Sequence, residues 1–251
     1  MIDRQKLQRL VDLAEINGKE TILEVGAGTG NLTDVLQTYA SQVIAIEKDL
    51  RLVEYLRRRF QGKQGVKIVH GDVLRMELPH FDKIVSSPPY SISSRLLFNL
   101  LEKKFKSATL MFQKEFAERL VAEAGTREYG RLTIMLQRKA NAELFDFIPR
   151  TAFRPIPKVD SFIVQIRAKN KTEEERTEIF DEVVRILFSQ RRRKASTVLR
   201  HWLEKSGMFP TEIPIDSLNI PAKRVFELTA EDIEIICRKL QQNRVESAKL
   251  L

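Results

Sequence analysis

The sequence predicts an α/β fold, in which a mostly parallel sheet with an antiparallel edge precedes a small helical domain. Three observations carry this prediction. Short apolar runs alternate with helical patterns through the first two thirds of the 251 residues, which is typical of parallel sheets. A glycine-rich turn joins the first expected strand to a helix. Beyond about residue 170 the periodicity is only helical, so we predict two domains, 1–170 and 171–251.

The first domain is expected to alternate strands and helices in strict order. The strands are predicted at residues 21–25, 42–47, 66–70, 82–86 and 108–112. The helices between and after them are predicted near residues 33–39, 52–59, 94–104 and 115–124. Two further strands, 142–148 and 161–167, are joined by a proline-rich linker. A connection this short favours an antiparallel pair at the edge of the sheet.

The second domain is recognised by its helix starts. Thr172 with Glu175 forms a capping-box pattern, and apolar residues follow it at helical spacing from Ile179 onward. Thr229, followed by an alanine and two acidic residues, is typical of another helix start. We therefore expect only helices between residue 171 and the end of the chain.

Composition narrows the classes of function. The apolar runs are far shorter than the roughly 18 residues of a membrane span, and residues 1–18 lack an apolar signal block. A cytoplasmic protein without a membrane partner is expected. One cysteine and three scattered histidines offer no metal-ligand spacing. The net charge of +9 suits a polyanionic partner.

The glycine-rich turn indicates a nucleoside-like ligand. Gly26, Gly28 and Gly30 occupy every second position after the first strand, where the backbone can turn sharply and approach a ligand. A dinucleotide fingerprint would have its third glycine at the position of Asn31. This spacing favours S-adenosylmethionine over a nicotinamide cofactor and hence a Rossmann-like methyltransferase sheet. The alternative is a tight strand–helix turn that binds nothing.

Acidic residues at the ends of the next two strands support a ligand site. Glu47 ends the second strand, where a carboxylate suits the two ribose hydroxyls of a nucleoside. Asp72 follows the third strand and could accept a hydrogen bond from an adenine amine. Each alone could instead cap a helix or a turn. Because ligands of such sheets collect at the carboxyl ends of strands, the three features together favour a site.

The fourth strand leads into a candidate catalytic loop, Ser87-Pro88-Pro89-Tyr90. This pattern fits enzymes that methylate amino groups conjugated to a ring. The lone pair of such an amine is delocalised, and Ser87 Oγ with the Pro88 carbonyl can accept its two N–H bonds and aim the lone pair at a methyl sulfonium. Tyr90 can stack on the base, which must leave its helix to be reached. A proline-rich turn with a buried tyrosine is the structural alternative.

These segments resemble the ribosomal RNA adenine dimethyltransferases that modify two adjacent adenines near the 3′ end of small-subunit RNA, in an archaeal-like form. The matching stretches are 24–32, 70–73, 85–94, 112–119, 129–132, 151–161 (TAFRPIPKVDS), 188–194 (FSQRRRK) and 224–229. The resemblance implies dimethylation by S-adenosylmethionine and a substrate in small-subunit ribosomal RNA or the immature small subunit. It also implies that Tyr90 and Phe153 sandwich the flipped adenine, and we expect a monomer.

The site residues expected from these arguments form three sets. Ser87, Pro88, Tyr90 and Phe153 are expected to be catalytic. Cofactor binding is expected at Gly26, Ala27, Gly28, Gly30, Asn31, Leu32, Glu47, Lys48, Asp72, Val73 and Ser87. Residues 185–205 hold seven Lys or Arg and one Glu, and we expect Arg191, Arg192, Arg193 and Lys194 to clamp RNA from a helix. A solvated helix face is the alternative.

Two other functions remain open. The family usually has Asn-Leu-Pro-Tyr or Asn-Ile-Pro-Tyr at the position of Ser87-Pro88-Pro89-Tyr90, and a Gly-Gln-His-Phe-Leu-like segment before the position of Met1. These departures prompt the alternative of a ribosome-biogenesis RNA-binding factor with weak catalysis. The Ser-Pro-Pro-Tyr loop itself prompts a DNA amino-methyltransferase, although no insert for target recognition is evident.

Overall fold

The chain divides into two compact units, of which the first is interrupted in sequence. The computed structural model describes residues 3–169, 179–206, 218 and 220–248, with the side chains of 206 and 244–248 left out. Unit 1 comprises Met1–Glu118 and Ala140–Ala168, and unit 2 comprises Arg119–Lys139 and Lys169–Leu251. The division near residue 169 lies close to the predicted boundary. The assignment of residues 119–139 to unit 2 departs from the linear division that the sequence suggests.

Unit 1 contains seven strands in one sheet. Its strands are β1 (Thr21–Val25), β2 (Gln42–Glu47), β3 (Val66–His70), β4 (Lys83–Ser86), β5 (Ser107–Gln113), β6 (Ala140–Ile148) and β7 (Ser161–Ala168). Its helices are α1 (Arg4–Leu13), α2 (Asn31–Leu36), α3 (Leu50–Arg59) and α4 (Ser93–Leu101), and α5 (Lys114–Leu120) begins in it. Every predicted strand is present within one or two residues of its expected bounds, whereas α1 was not predicted.

The sheet has the order β3-β2-β1-β4-β5-β7-β6. β1 to β5 run parallel, β7 pairs antiparallel with β5, and β6 pairs antiparallel with β7. The predicted mostly parallel sheet with an antiparallel edge is thereby confirmed. Because the strand order reverses between β1 and β4, the loops after these strands diverge and leave a crevice at their carboxyl ends. This is the edge at which the predicted cofactor and catalytic loops begin.

Helix α1 contributes to the core beside the sheet. Asp3 caps it, since its Oδ1 accepts hydrogen bonds from the backbone N–H groups of Gln5 and Lys6 at 3.0 and 3.1 Å. The buried face of the helix, which includes Leu10, packs in one apolar cluster with Phe153. The capped helix therefore supports an aromatic residue that the sequence assigns to catalysis.

Unit 2 is built on α6 (Arg131–Lys139), α7 (Phe180–Ser189), α8 (Ala195–Ser206) and α9 (Ala230–Ala248). The buried guanidinium of Arg138 on α6 contacts Asp181 of α7 and Glu234 of α9, both at 3.4 Å, and lies 4.0 Å from the centre of the Phe180 ring. These contacts explain why residues 119–139 belong here. The predicted helix start at Thr229 is confirmed, because its Oγ1 accepts the Asp232 N–H at 3.1 Å. The capping box at Thr172 and Glu175 lies outside the described residues.

Candidate active site

The glycine loop after β1 is packed against the candidate catalytic loop after β4. Gly26 has φ of 73°, and a Cβ atom there would lie 2.9 Å from Cδ of Pro89. Gly30, the N-cap of α2, has φ of 82°, and its Cβ would lie 2.7 Å from side-chain atoms of both Leu56 and Phe60 on α3. Only glycine suits these two positions, because both the left-handed backbone and the close neighbours exclude a side chain. The loop is thus held between the Pro89 side of the crevice and α3.

Arg59 holds the outer side of the same loop, a role that the sequence did not reveal. Its guanidinium donates to the Thr29 carbonyl at 2.6 Å and to Asn31 Oδ1 at 3.2 Å. It also lies 3.6 Å from Asp34 on the first turn of α2. These contacts join the end of α3 to the start of α2 and so restrain the predicted cofactor loop. Arg59 is far from these partners in the sequence, and only the folded structure brings it next to them.

Glu47 is buried at the end of β2 and faces the glycine loop. Its Oε2 accepts the Gly28 N–H at 2.8 Å, while Oε1 accepts the N–H groups of Lys48 and Asp49 at 2.8 and 3.0 Å. Three backbone donors therefore fix the orientation of this carboxylate. A carboxylate so placed retains lone pairs for the hydroxyl groups of a ligand in the crevice.

Asp72 is the acidic residue after β3, and it is held in a similar way. Its Oδ1 accepts the Leu74 N–H at 3.1 Å, and its Oδ2 lies 3.0 Å from Lys48 Nζ. The hydrogen bond from the Lys48 ammonium, with that from the Leu74 N–H, lowers the pKa of the Asp72 carboxyl below its usual range. Asp72 is therefore an ionised acceptor at neutral pH, next to the buried Val73.

The loops after β1 to β4 surround a cavity of about 800 Å³. This volume lies within the range of small-molecule sites. Among the predicted cofactor residues, those that line it are Gly26, Glu47, Lys48, Asp72 and Val73. Ala27 is buried in the glycine-rich turn, Leu32 is buried in α2, and Gly28 contacts Glu47. The structure therefore brings together the glycine loop and the ends of β2 and β3, as the sequence predicts.

One wall of the cavity was missed by sequence reasoning. It is formed by the short turn after residue 90 and by α4, through Ser91, Ile92, Ser94, Arg95, Phe98, Asn99 and Glu102. In the sequence most of these residues belong to the helix predicted near residues 94–104, for which no part in a site was predicted. Phe98 is half-buried on this wall, where its ring can cover the flat face of a base.

Glu24 is a buried carboxyl in β1, one residue before Val25, which lines the cavity. Burial raises its pKa to about 8, against the hydrogen bond from Thr33 Oγ1 at 2.6 Å, and the neighbouring Glu47 carboxylate adds to the rise. Glu24 is therefore mostly protonated at neutral pH. The sequence shows an acidic residue within an apolar strand here, and that signal was overlooked.

Residues 87–90 follow β4 and lie at the edge of the crevice, across from the ends of β2 and β3. Ser87 is half-buried, and its hydroxyl lies 3.8 Å from Met111 Sδ, a weak contact that leaves the oxygen lone pairs open. Pro88 is buried and Pro89 is exposed. Tyr90 shares a hydrogen bond of 2.5 Å with Ser161 Oγ, which fixes the tyrosine against the start of β7.

Tyr90 and Phe153 lie side by side, as the sequence implies, but their rings are not parallel. Their centroids are 6.3 Å apart and their planes meet at 70°. The rings thus contact edge to face, and a base could be stacked between them only after one ring turns. The predicted sandwich remains a prediction about the complex with substrate.

Comparisons with known proteins bear on this arrangement. The family model described as ribosomal RNA adenine dimethylase matches residues 1–216. The chain belongs to the ribosomal RNA adenine dimethylase family. It is accordingly an S-adenosylmethionine-dependent methyltransferase that acts on ribosomal RNA. The Rossmann-like methyltransferase sheet predicted from the sequence is confirmed.

Individual relatives of this dimethylase cover most of the chain. It is 43% identical over 232 residues to a probable ribosomal RNA small subunit methyltransferase A of Thermococcus kodakarensis, which covers 90% of this chain and 82% of the relative. A protein of the same description from Methanosarcina mazei is 39% identical over 249 residues, with 96% and 90% covered.

Solved structures show the same similarity. A dimethyladenosine transferase from Plasmodium falciparum superposes with a TM-score of 0.84 at 29% identity, covering 97% of this chain and 98% of that one. The 23S rRNA methyltransferase ErmE has a TM-score of 0.74 at 28% identity, with 96% and 98% covered.

The four basic residues of this dimethylase that are predicted to clamp RNA lie in unit 2 but not on a helix. Arg191, Arg192, Arg193 and Lys194 occupy the turn between α7 and α8, so the prediction of a helical clamp is wrong in its local structure. The apolar spacing of α7 ends at Ser189 and resumes at Ala195, and this break in the pattern was the available signal.

The cations of this turn differ in their surroundings. Arg191 is half-buried, donates to the carbonyls of Thr126 and Arg127 at 3.2 Å, and lies 5.7 Å from the Phe226 ring. The side chains of Arg192, Arg193 and Lys194 are exposed and make no ion pair within the described residues. Arg191 therefore holds the turn in place, and the other three present charge to solvent.

None of the helices in the described ranges has the length and apolarity that crossing a bilayer requires.

Proposed function

We propose that this dimethylase transfers methyl groups from S-adenosylmethionine to the exocyclic amines of two adjacent adenines near the 3′ end of small-subunit ribosomal RNA. The observation that carries the proposal is the contact between Gly26 and Pro89. The glycine loop, to which we assign the cofactor, lies against the Ser-Pro-Pro-Tyr loop, to which we assign the target amine, at the point where the strand order reverses. The names of the archaeal relatives support the small subunit as the source of the substrate.

The cofactor fits the residues that line the cavity. The cavity of about 800 Å³ has room for a nucleoside with an amino-acid tail. We assign the ribose hydroxyls to Glu47, the adenine amine to Asp72, and a face of the adenine ring to Phe98. Ala27, Gly28 and Gly30 belong to the turn, and Asn31 and Leu32 to the first turn of α2, whose backbone approaches the tail. When bound, S-adenosylmethionine supplies an electrophilic methyl group on a sulfonium centre.

The residues after β4 prepare the target amine. Ser87 Oγ and the Pro88 carbonyl accept hydrogen bonds from the two N–H groups of the unmethylated amine, and one of them accepts the single N–H that is left for the second transfer. These hydrogen bonds draw the nitrogen lone pair out of conjugation and aim it into the crevice. The prolines pre-align both acceptors, so that little reorganisation accompanies the reaction. Tyr90 and Phe153 hold the base once one of the rings has turned. The proton released from the amine passes to solvent.

Unit 2 contributes binding to the RNA backbone. Arg192, Arg193 and Lys194 are exposed within one turn, where guanidinium groups suit phosphate oxygens. Such contacts position a substrate without reading its sequence. We assign the immature small subunit as the natural substrate, the monomer as the acting form, and the cytoplasm, where archaeal ribosomes assemble, as the site of action.

Mass spectrometry of small-subunit RNA tests the proposal. Unmodified small subunits, naked small-subunit RNA and duplex DNA are each incubated with the protein and isotopically labelled S-adenosylmethionine. We expect two labelled dimethyladenosines in the RNA of the subunits and no label in the DNA. Label in the DNA alone would indicate a DNA amino-methyltransferase. Binding to subunits without any label would indicate a binding factor and overturn the proposal.

A further inference from the structure

The segment between β6 and β7, residues 149–160, forms a closed loop around Phe153. The Arg150 N–H donates to Asp160 Oδ1 at 2.9 Å, which ties the start of the loop to its end. The Asp160 carbonyl in turn accepts the Lys114 N–H at 2.9 Å. Inside the loop, the Ala152 N–H donates to the Pro149 carbonyl at 3.0 Å. The loop is therefore held by the ends of the strands and is not an unstructured connection.

This loop carries cations that no part of the described chain neutralises. Arg150, Arg154 and Lys158 are exposed, and none of their side chains makes a hydrogen bond or an ion pair within the described residues. The only acidic residue of the loop is Asp160, and one of its oxygens is occupied by the Arg150 backbone. Uncompensated charge on a restrained loop favours an anionic ligand.

Exposed apolar side chains alternate with these cations. Ile156 is 49% exposed and Val159 is 38% exposed. They are among the largest apolar surfaces that unit 1 presents to solvent. Cations interleaved with apolar groups suit a nucleic-acid strand, which offers phosphates and flat bases together.

The loop is connected directly to the candidate catalytic aromatic residues. Arg154 follows Phe153 in the chain, so their Cα atoms are about 3.8 Å apart. At the other end, Ser161 follows Asp160 and shares a hydrogen bond with the Tyr90 hydroxyl. Arg150 and Arg154 therefore lie on either side of Phe153 along the chain, and Lys158 lies three residues before Ser161, the hydrogen-bond partner of Tyr90.

We propose that Arg150, Arg154 and Lys158 bind the RNA phosphates that flank the extruded adenine, while Ile156 and Val159 contact a neighbouring nucleotide. The proposal rests on the proposed function for the identity of the target base. Extruding a base strains the backbone on either side of it, and cations fixed at those phosphates stabilise the extruded state. The residues of this site belong to unit 1, whereas the basic turn belongs to unit 2.

A matched pair of triple variants tests the site. R150Q/R154Q/K158Q removes the three charges of the loop. K19Q/K63Q/K104Q removes three exposed charges from the loops that lead into β1, β3 and β5, at the amino ends of the strands and away from the crevice at their carboxyl ends. Binding to a single-stranded RNA with the target sequence is measured over a range of salt concentrations, and S-adenosylmethionine binding by calorimetry. Methylation of the same RNA and of unmodified small subunits is measured in a single turnover.

The loop variant should weaken RNA binding and make the log–log salt slope shallower by about 2 units, at about 0.7 per lost contact. Affinity for S-adenosylmethionine should stay unchanged, and the control variant should keep the wild-type slope. Equal slopes in the loop variant and the wild type, or equal losses in the loop and control variants, would overturn the inference. Unchanged binding to naked RNA with slower methylation of assembled subunits would assign the loop to a ribosomal protein instead. Failure of the proposed function is distinct, because the wild-type protein would then methylate neither substrate.

Discussion

Ser86 Oγ bonds to both backbone groups of Val25, donating to its carbonyl at 2.6 Å and accepting its N–H at 3.2 Å. The paired residues of β1 and β4 end at Leu23 and Ile84, so this side chain replaces the ladder beyond that point. The two strands are thus held together just before their loops separate into the crevice. Ser86 sets where the cofactor loop and the catalytic loop begin to diverge.

Ser86→Ala should lower the free energy of unfolding by about 1–3 kcal/mol, because it leaves two buried backbone groups without partners. Denaturant unfolding measures the change. Ser41→Ala, at an exposed position, is the matched control and should unfold as the wild type does. If both variants unfold alike, the bridge contributes nothing to the stability of the sheet.

The stability of the protein should depend on the protonation of Glu24. Its pKa rises from 4.5 in the unfolded chain to about 8 when folded, so the folded state keeps a proton that the unfolded state loses. The free energy of unfolding should therefore fall as pH rises between these values, by at most about 1.4 kcal/mol per pH unit. Glu24→Gln keeps an acceptor for Thr33 but cannot titrate, and its profile should be flatter. Parallel profiles of Glu24→Gln, the exposed variant Glu54→Gln and the wild type would refute this.

Glu47→Gln should weaken S-adenosylmethionine binding by about 1.5–3 kcal/mol, the usual contribution of hydrogen bonds to a charged group. The amide oxygen can still accept the Gly28 N–H, but the amide nitrogen then faces the N–H groups of Lys48 and Asp49, so denaturant unfolding of the variant is needed to separate a loss of ligand contacts from a change in the loop. Calorimetry gives the affinity, with the exposed Glu77→Gln as control. An unchanged affinity would remove Glu47 from the cofactor site.

Ser87→Ala should leave folding, S-adenosylmethionine binding and RNA binding nearly intact and slow the chemical step. Loss of one pre-aligned hydrogen bond in the transition state costs on the order of 2.7–4 kcal/mol, or about 10²–10³ in rate. Ser87→Asn restores a longer acceptor and should hold or raise the rate. The rate of methylation of small subunits is measured in a single turnover for the wild type and both variants. Equal rates for the wild type and the alanine variant would leave the Pro88 carbonyl as the acceptor. A wild type without turnover that is rescued by asparagine would indicate decayed catalysis.

The basic turn of unit 2 should separate into two roles. R192Q/R193Q/K194Q should make the salt slope of RNA binding shallower by about 2 units without changing stability. Arg191→Gln should instead lower the free energy of unfolding by about 1 kcal/mol, because it loses bonds to two carbonyls and the contact with Phe226. Binding titrations and denaturant unfolding of both variants distinguish these effects. If the two variants have the same salt slope and the same free energy of unfolding, the four residues do not have separate roles and form one solvated surface.

Local patterns were sufficient for much of the fold and part of the site. Strands, glycine spacing and strand-end carboxylates depend on residues close in sequence, and the parallel sheet then brings Gly26, Glu47 and Asp72 to one edge. The α4 wall and the Arg59 contacts depend on how helices pack, which apolar spacing does not specify. The angle between Tyr90 and Phe153 likewise depends on Ser161, a residue distant in sequence from Tyr90.

The interrupted course of unit 1 decides how the two halves can be studied apart. A chain cut near residue 170 would keep α6 but lose α7 and α9, which pack against it. The apolar side of α6, with Leu132, Met135 and Leu136, would then face water, and such a fragment should aggregate. Excising residues 119–139 and joining Glu118 to Ala140 through a short glycine–serine linker is therefore the dissection that should yield an isolated sheet domain.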